Sequence, residues 1–185
     1  YTSKCDTAAA AFQSKEAGVA DFTGDEASIL EQIRSLVSIL PSSNEEDLSY
    51  GQCQDDLNRM CDGIAGCAGD AVQALSMISD DNFLIEVKKD YEPSMVTAFI
   101  RLNGVTVGCV ANRTEISGED GKKENLSAEL SGKGCEKAAD FITFCDAFNI
   151  PVLTLVNVKG YRADICSEKV IARAAGRLTY AYANA

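Results

Sequence analysis

The sequence contains no histidine, and that one absence removes catalytic triads, histidine-paired cysteines and the commonest metal ligand together. Any catalysis must then rest on backbone dipoles, carboxylates, lysine or tyrosine. Cys-x-x-Cys pairs are also missing among the eight cysteines. Cys53, Cys61 and Cys67 cluster at no metal-loop spacing, so no metal site is expected. No apolar run reaches the length of a membrane span, and Tyr1-Thr2-Ser3-Lys4 opens no charged-then-apolar leader. Positive charge is scarce, with 17 Lys and Arg against 28 Asp and Glu and a net charge of -11. That balance repels polyphosphate and leaves no electrostatic footprint for nucleic acid. The expectation is a cytoplasmic chain with reduced, mostly buried thiols and no disulfide.

What is present fits one sizeable α/β domain: 185 residues, 46% hydrophobic and 24% charged. The organising stretch is Phe141-Ile142-Thr143-Phe144-Cys145-Asp146-Ala147-Phe148-Asn149-Ile150-Pro151. Ala138, Phe141, Ile142, Cys145 and Phe148 fall at helical spacing and Pro151 forbids further helix. The apolar run at 152–158 behind it reads as a strand buried on both faces. Val158-Lys159-Gly160-Tyr161 ends that strand, and ligands of open α/β sheets bind at the carboxyl ends of strands. This turn is therefore a candidate site wall. The plainer reading gives Gly160 a tight turn, Tyr161 a place over the core and Lys159 a solvated loop position.

Upstream, residues 6–15 are alanine-rich and helix-prone, with Asp6 or Thr7 as cap and Gly18 beyond the end. Residues 19–22 read as a short extended piece. Thr23 and Glu26 have capping-box spacing, and Ile29, Leu30, Ile33, Leu36, Val37 and Leu40 form one apolar stripe before Pro41. Residues 41–54 read as an exposed connection. A short helix is expected at 55–64 with Leu57, Met60 and Cys61 inward. Asp70 should cap another that carries Val72, Leu75 and Ile78, both helices lying at the sheet edge. Residues 83–87, 95–102 and 105–111 read as strands, the last two joined by an Asn103-Gly104 hairpin. Residues 113–133 read as a polar, mobile loop, and 167–182 as a closing helix. The order is ββαβα, with the strand after Pro151 returning parallel to the one at 105–111 through a right-handed crossover.

These residues resemble the carboxyltransferase subunits of biotin-dependent acyl-CoA carboxylases and decarboxylases, which have the crotonase-like fold. The match is carried by Lys137-Ala138-Ala139, Phe141-Ile142 and Phe144-Cys145-Asp146-Ala147-Phe148-Asn149-Ile150-Pro151. Leu102-Asn103-Gly104, Val107-Gly108, Val110-Ala111-Asn112, Gly18-Val19-Ala20-Asp21-Phe22 and Tyr180-Ala181-Tyr182-Ala183 support it, in matching order. The resemblance implies a partial crotonase-like fold: residues 1–41 as the tail of a first carboxyltransferase half, 42–54 as a linker, and 55–185 as the opening of a second half.

It further implies carboxyl transfer between biotin on a carrier protein and a short-chain acyl-CoA, propionyl or methylmalonyl, within a homo-oligomer. By the same resemblance both oxyanion loops lie outside the chain, so it holds no catalytic residue, binds no cofactor tightly by itself and does not turn over alone. The site residues implied are wall residues, Lys159, Gly160, Tyr161 and Arg173, the last with a plainer role as a surface residue or carboxylate partner. Departures fall there too. The family has Val-Pro-Gly-Phe where this chain has Val158-Lys159-Gly160-Tyr161, and a Pro-Gly and Gln-Glu loop that residues 162–167 do not reproduce. It has Arg-His-Gly-Ala-Lys where this chain has Arg173-Ala174-Ala175-Gly176-Arg177. They keep open a second reading, a non-catalytic paralogue acting as an assembly or interaction subunit.

Overall fold

A computed structural model of the chain describes residues 7–46, 51–118 and 122–185. Helices α1 (Ala10–Lys15) and α2 (Glu26–Ile39) lead, followed by a 3-10 turn at Ile64–Cys67, helix α3 (Ala71–Ile78) and a second 3-10 turn at Asp80–Asn82. Strands β1 (Leu84–Val87), β2 (Met95–Leu102) and β3 (Val105–Asn112) come next, then the short β4 (Glu115–Ser117), β5 (Lys123–Asn125) and β6 (Glu129–Leu130). Helix α4 (Gly132–Ala147), strand β7 (Val152–Leu155), strand β8 (Gly160–Tyr161) and helices α5 (Ile165–Glu168) and α6 (Ile171–Asn184) complete it. The main sheet has the order β1-β2-β3-β7, antiparallel except for the β3–β7 pair. The expected ββαβα core is formed by β2, β3, α4, β7 and α6, with β1 added on the open side of β2, behind N-terminal helices.

The β2–β3 hairpin forms where Asn103 and Gly104 take left-handed conformations, φ 53° and 79°, which match the twist of the flanking strands. The Asp80 carboxylate locks it, accepting from the Asn103 and Gly104 N–H groups at 3.0 and 2.6 Å. Strand alternation then sorts the side chains. Met95, Phe99 and Val110 join Ala138, Phe141, Ile142 and Cys145 of α4 in one core. Val96, Ala98, Ile100, Val107 and Cys109 face the other way and pack with Ala71 and Leu75 of α3. The sheet is thus sandwiched between helices. At the tightest approach a Cβ on Gly108 would lie 2.5 Å from the Cys145 sulfur, so only glycine lets α4 settle onto β3.

Several expectations are corrected. The cap of α2 is Asp25, which accepts from Ser28 N at 2.9 Å; the helix begins two residues later than the Thr23–Glu26 box requires. At α1 the cap residue is Ala9, which has no side-chain acceptor, while Asp6 lies outside the described residues. Residues 19–22 lie outside regular structure, and Phe22 packs on the first core. Of the α2 stripe, Leu30, Ile33 and Val37 are exposed, and Ile39, outside that stripe, is fully buried.

Residues 55–63 form turns rather than a helix, with Leu57 and Met60 exposed. The Asp55 carboxylate takes Arg59 Nε and Asp81 N, while Arg59 reaches Ser79 O, and such local bonds compete with a helical ladder. At α3 the Asp70 side chain makes no cap and accepts from Ser117 N at 3.1 Å. That helix lies on a sheet face, not at an edge. Residues 113–133 hold the β4–β5 hairpin, β6 and the start of α4. Strand β7 is not buried on both faces: it ends the sheet order, stops at Leu155 and exposes Thr154. All seven described cysteines are free thiols, and no group of three or more acidic or cysteine side chains among the described residues could hold a metal. No helix among them is long and apolar enough to cross a membrane.

Candidate functional site

After β7 the chain runs four residues without regular structure and re-enters pairing at β8, parallel to β6. Lys159 N donates to Ala128 O at 2.8 Å and Arg162 N to Leu130 O at 2.9 Å. The bonds clamp the Lys159-Gly160-Tyr161 stretch at both ends. Between them Gly160 has φ 149°, and a Cβ there would meet nothing within 4 Å. Tyr161 is 60% exposed and Lys159 is exposed too, so the tyrosine does not cover the core. The stretch presents an open ring and an ammonium stem to solvent.

Next to it lies a groove of about 440 Å³. Tyr91 and Glu92 form one side, Ser131, Gly132, Lys133 and Glu136 at the start of α4 a second, and Arg162, Asp164, Cys166, Ser167, Val170 and Arg173 a third. The structure therefore puts Arg173 in a groove with Arg162, the residue after Tyr161, while Lys159, Gly160 and Tyr161 do not line it. Arg173 is exposed and reaches Glu136 at 3.5 Å. One helical turn on, Arg177 pairs with Asp140, so two ion pairs run along the contact of α6 with α4, exposed enough to add little to it. Asp164 caps α5, and the backbone N–H of Ser167 holds its carboxyl below the usual range.

Lys137, which the sequence placed in the matching motif but gave no role at the site, is a buried charge. It is 2% exposed, and its ammonium donates to Tyr91 O at 2.7 Å and Met95 O at 2.6 Å. Burial pushes its pKa down to about 7, with Glu86 opposing the shift and Arg113 adding to it. Arg113 lies 3.2 Å from the Glu86 carboxylate and donates from Nε to Pro93 O at 2.6 Å. The signal for Lys137 was its position four residues before buried Phe141, on the core stripe of α4. A cavity of about 430 Å³ between α2 and β1, lined by Glu31, Gln32, Glu86, Lys88 and Lys89, had no signal in the sequence. It shares no lining residue with the groove.

The carboxyl transferase domain family matches residues 2–185, and the chain belongs to that family. It is 32% identical over 177 residues to methylmalonyl-CoA decarboxylase subunit alpha of Propionigenium modestum, covering 91% of this chain and 32% of that protein. To the propionyl-CoA carboxylase carboxyltransferase subunit of Haloferax mediterranei it is 34% identical over 177 residues, covering 91% and 33%. Among solved structures the transcarboxylase 12S hexamer, with hydrolysed methylmalonyl-coenzyme A bound, superposes with a TM-score of 0.80 at 32% identity, over 94% of this chain and 34% of that one. The fold is the crotonase-like one of such carboxyltransferases. The chain spans about a third of the length of the curated relatives it matches.

Proposed function

We propose that this chain is part of a carboxyltransferase subunit that moves a carboxyl group between biotin, held on a carrier protein, and a short-chain acyl-CoA of the propionyl/methylmalonyl type. In this reading residues 1–41 are the tail of a first crotonase-like half, 42–54 a linker and 55–185 the opening of a second. The observation that carries it is the family match along residues 2–185 combined with coverage of only a third of each relative. The hexamer of transcarboxylase 12S and the methylmalonyl-coenzyme A bound to it support an acyl-CoA substrate and a homo-oligomer here.

Carboxyl transfer of this kind builds negative charge on the acyl oxygen and on the ureido oxygen of biotin. Preorganised N–H donors stabilise such charge by about 3–4 kcal/mol each. In the candidate wall the N–H groups of Lys159 and Arg162 are already spent on Ala128 O and Leu130 O. The exposed ring of Tyr161 fits a flat ureido or thiophane face as a wall. Donors for the ureido oxygen come from other segments of the subunit, and the isolated chain is inactive.

The test is a longer subunit containing this chain, supplied with methylmalonyl-CoA and free biotin. Propionyl-CoA formation is expected, and Tyr161→Ala should raise the KM for biotin several-fold while leaving the KM for acyl-CoA in place. A longer subunit that binds its partners yet transfers no carboxyl group supports the assembly-subunit reading instead. The replacement of the family's Val-Pro-Gly-Phe by Val158-Lys159-Gly160-Tyr161 is the feature favouring that alternative.

A further inference from the structure

Burying an ammonium is costly unless it is hydrogen-bonded, so the groups Lys137 holds show what its burial accomplishes. Its two acceptors, Tyr91 O and Met95 O, bracket Glu92, whose φ of 43° is left-handed. A residue with a Cβ keeps that conformation only when its surroundings over-determine it, a pattern concentrated at ligand clamps. Here Lys137 holds both ends of the turn, and Met95 N closes it onto Glu92 O at 2.9 Å. The Glu92 carboxylate is thereby aimed at Arg162 Nη2, 3.3 Å away, and takes Ser94 Oγ at 3.0 Å. Arg162 directly follows Tyr161, and its own N–H pins the end of β8 to Leu130 O.

We propose that Lys137 is a positioning residue for the Lys159-Gly160-Tyr161 stretch, acting through the 91–95 turn and the Glu92–Arg162 ion pair. The functional importance of this arrangement rests on the reading of that stretch as a site wall; the mechanical linkage does not. A lysine that merely filled core volume would leave β8 indifferent to its replacement. The relay instead makes the wall depend on a group in the middle of the core.

Amide hydrogen exchange on the 185-residue chain tests it. Lys137→Met and Glu92→Gln should each speed exchange at the Lys159 and Arg162 amides by about tenfold or more, leaving the centre of β2 near Ala98 unchanged. Because both substitutions cut one relay, the double variant should exchange no faster there than the faster single one. Unchanged exchange at 159 and 162, equal acceleration throughout the sheet, or multiplying effects would each overturn the proposal. If Lys137→Met does not fold, Glu92→Gln decides alone, since it keeps the size of a side chain that is 12% exposed and removes only its charge. The wall reading fails separately: Tyr161→Ala without effect on the biotin KM of a longer subunit refutes the wall while the exchange result stands.

Discussion

Lys137 and the buried thiols show how far a side chain's surroundings in this fold move its chemistry. Folded, Lys137 loses its proton near pH 7; unfolded, near its ordinary value of 10.5. Between those values the unfolded chain binds more protons, so this residue's contribution makes stability rise with pH from about 7 to 10.5 and fall away as pH drops toward 7. Urea midpoints at pH 7 and pH 9.5 should show a rise in the native chain that Lys137→Met lacks; equal slopes would remove the buried lysine from the account. Burial also pushes the thiols of Cys109 and Cys145 up to about 12, and that of Cys135 up to about 11. The thiolate is the reactive form, so a thiol reagent should label Cys166, which is exposed, and spare these three until the chain unfolds. Labelling of Cys145 in the native state, read by mass spectrometry, would contradict the packing of α4 on β3.

Among the elements, the hairpin and α4 were legible because their signals are local and mutually consistent. Asn103-Gly104 demands a specific turn, and Ala138, Phe141, Ile142 and Cys145 repeat at helical spacing before Pro151. What the sequence did not reveal is the side chain that completes the turn. Asp80 sits 23 residues before Asn103 yet takes both turn N–H groups. Asp80→Ala should cost about 1.5–3 kcal/mol, as for hydrogen bonds to a charged group, measured by chemical denaturation. A cost below about 0.5 kcal/mol would show that the turn closes unaided. The misread elements share a different cause. The stripe of α2 and the apolar run at 152–158 look buried in sequence because pattern reports the face a segment is built to cover, not whether this length of chain covers it. Leu30, Ile33, Val37 and Val156 are exposed here. Of the candidate site, the Lys159-Gly160-Tyr161 stretch could be located, since it follows a strand, but its clamp could not: Ala128, Leu130, Glu92 and Lys137 are distant in sequence and joined only by folding.

For the molecule as a whole, the unpaired side of β7 and the apolar residues on α2 predict self-association of the isolated chain. Sedimentation should show species above the monomer, and Val37→Lys with Leu30→Lys should shift them toward it; a strictly monomeric native chain would mean those faces are solvated without penalty. The proposed function predicts that the same chain, though folded, lacks the donors for both oxyanions. Loss of a single such donor costs about 10²–10³ in rate. The most direct measurement compares carboxyl transfer by the isolated chain and by a longer subunit that contains it, side by side, with methylmalonyl-CoA and free biotin. The account predicts propionyl-CoA from the longer subunit and a rate for the chain alone indistinguishable from solution chemistry. Turnover by the isolated chain would place the catalytic donors within residues 1–185 and contradict it.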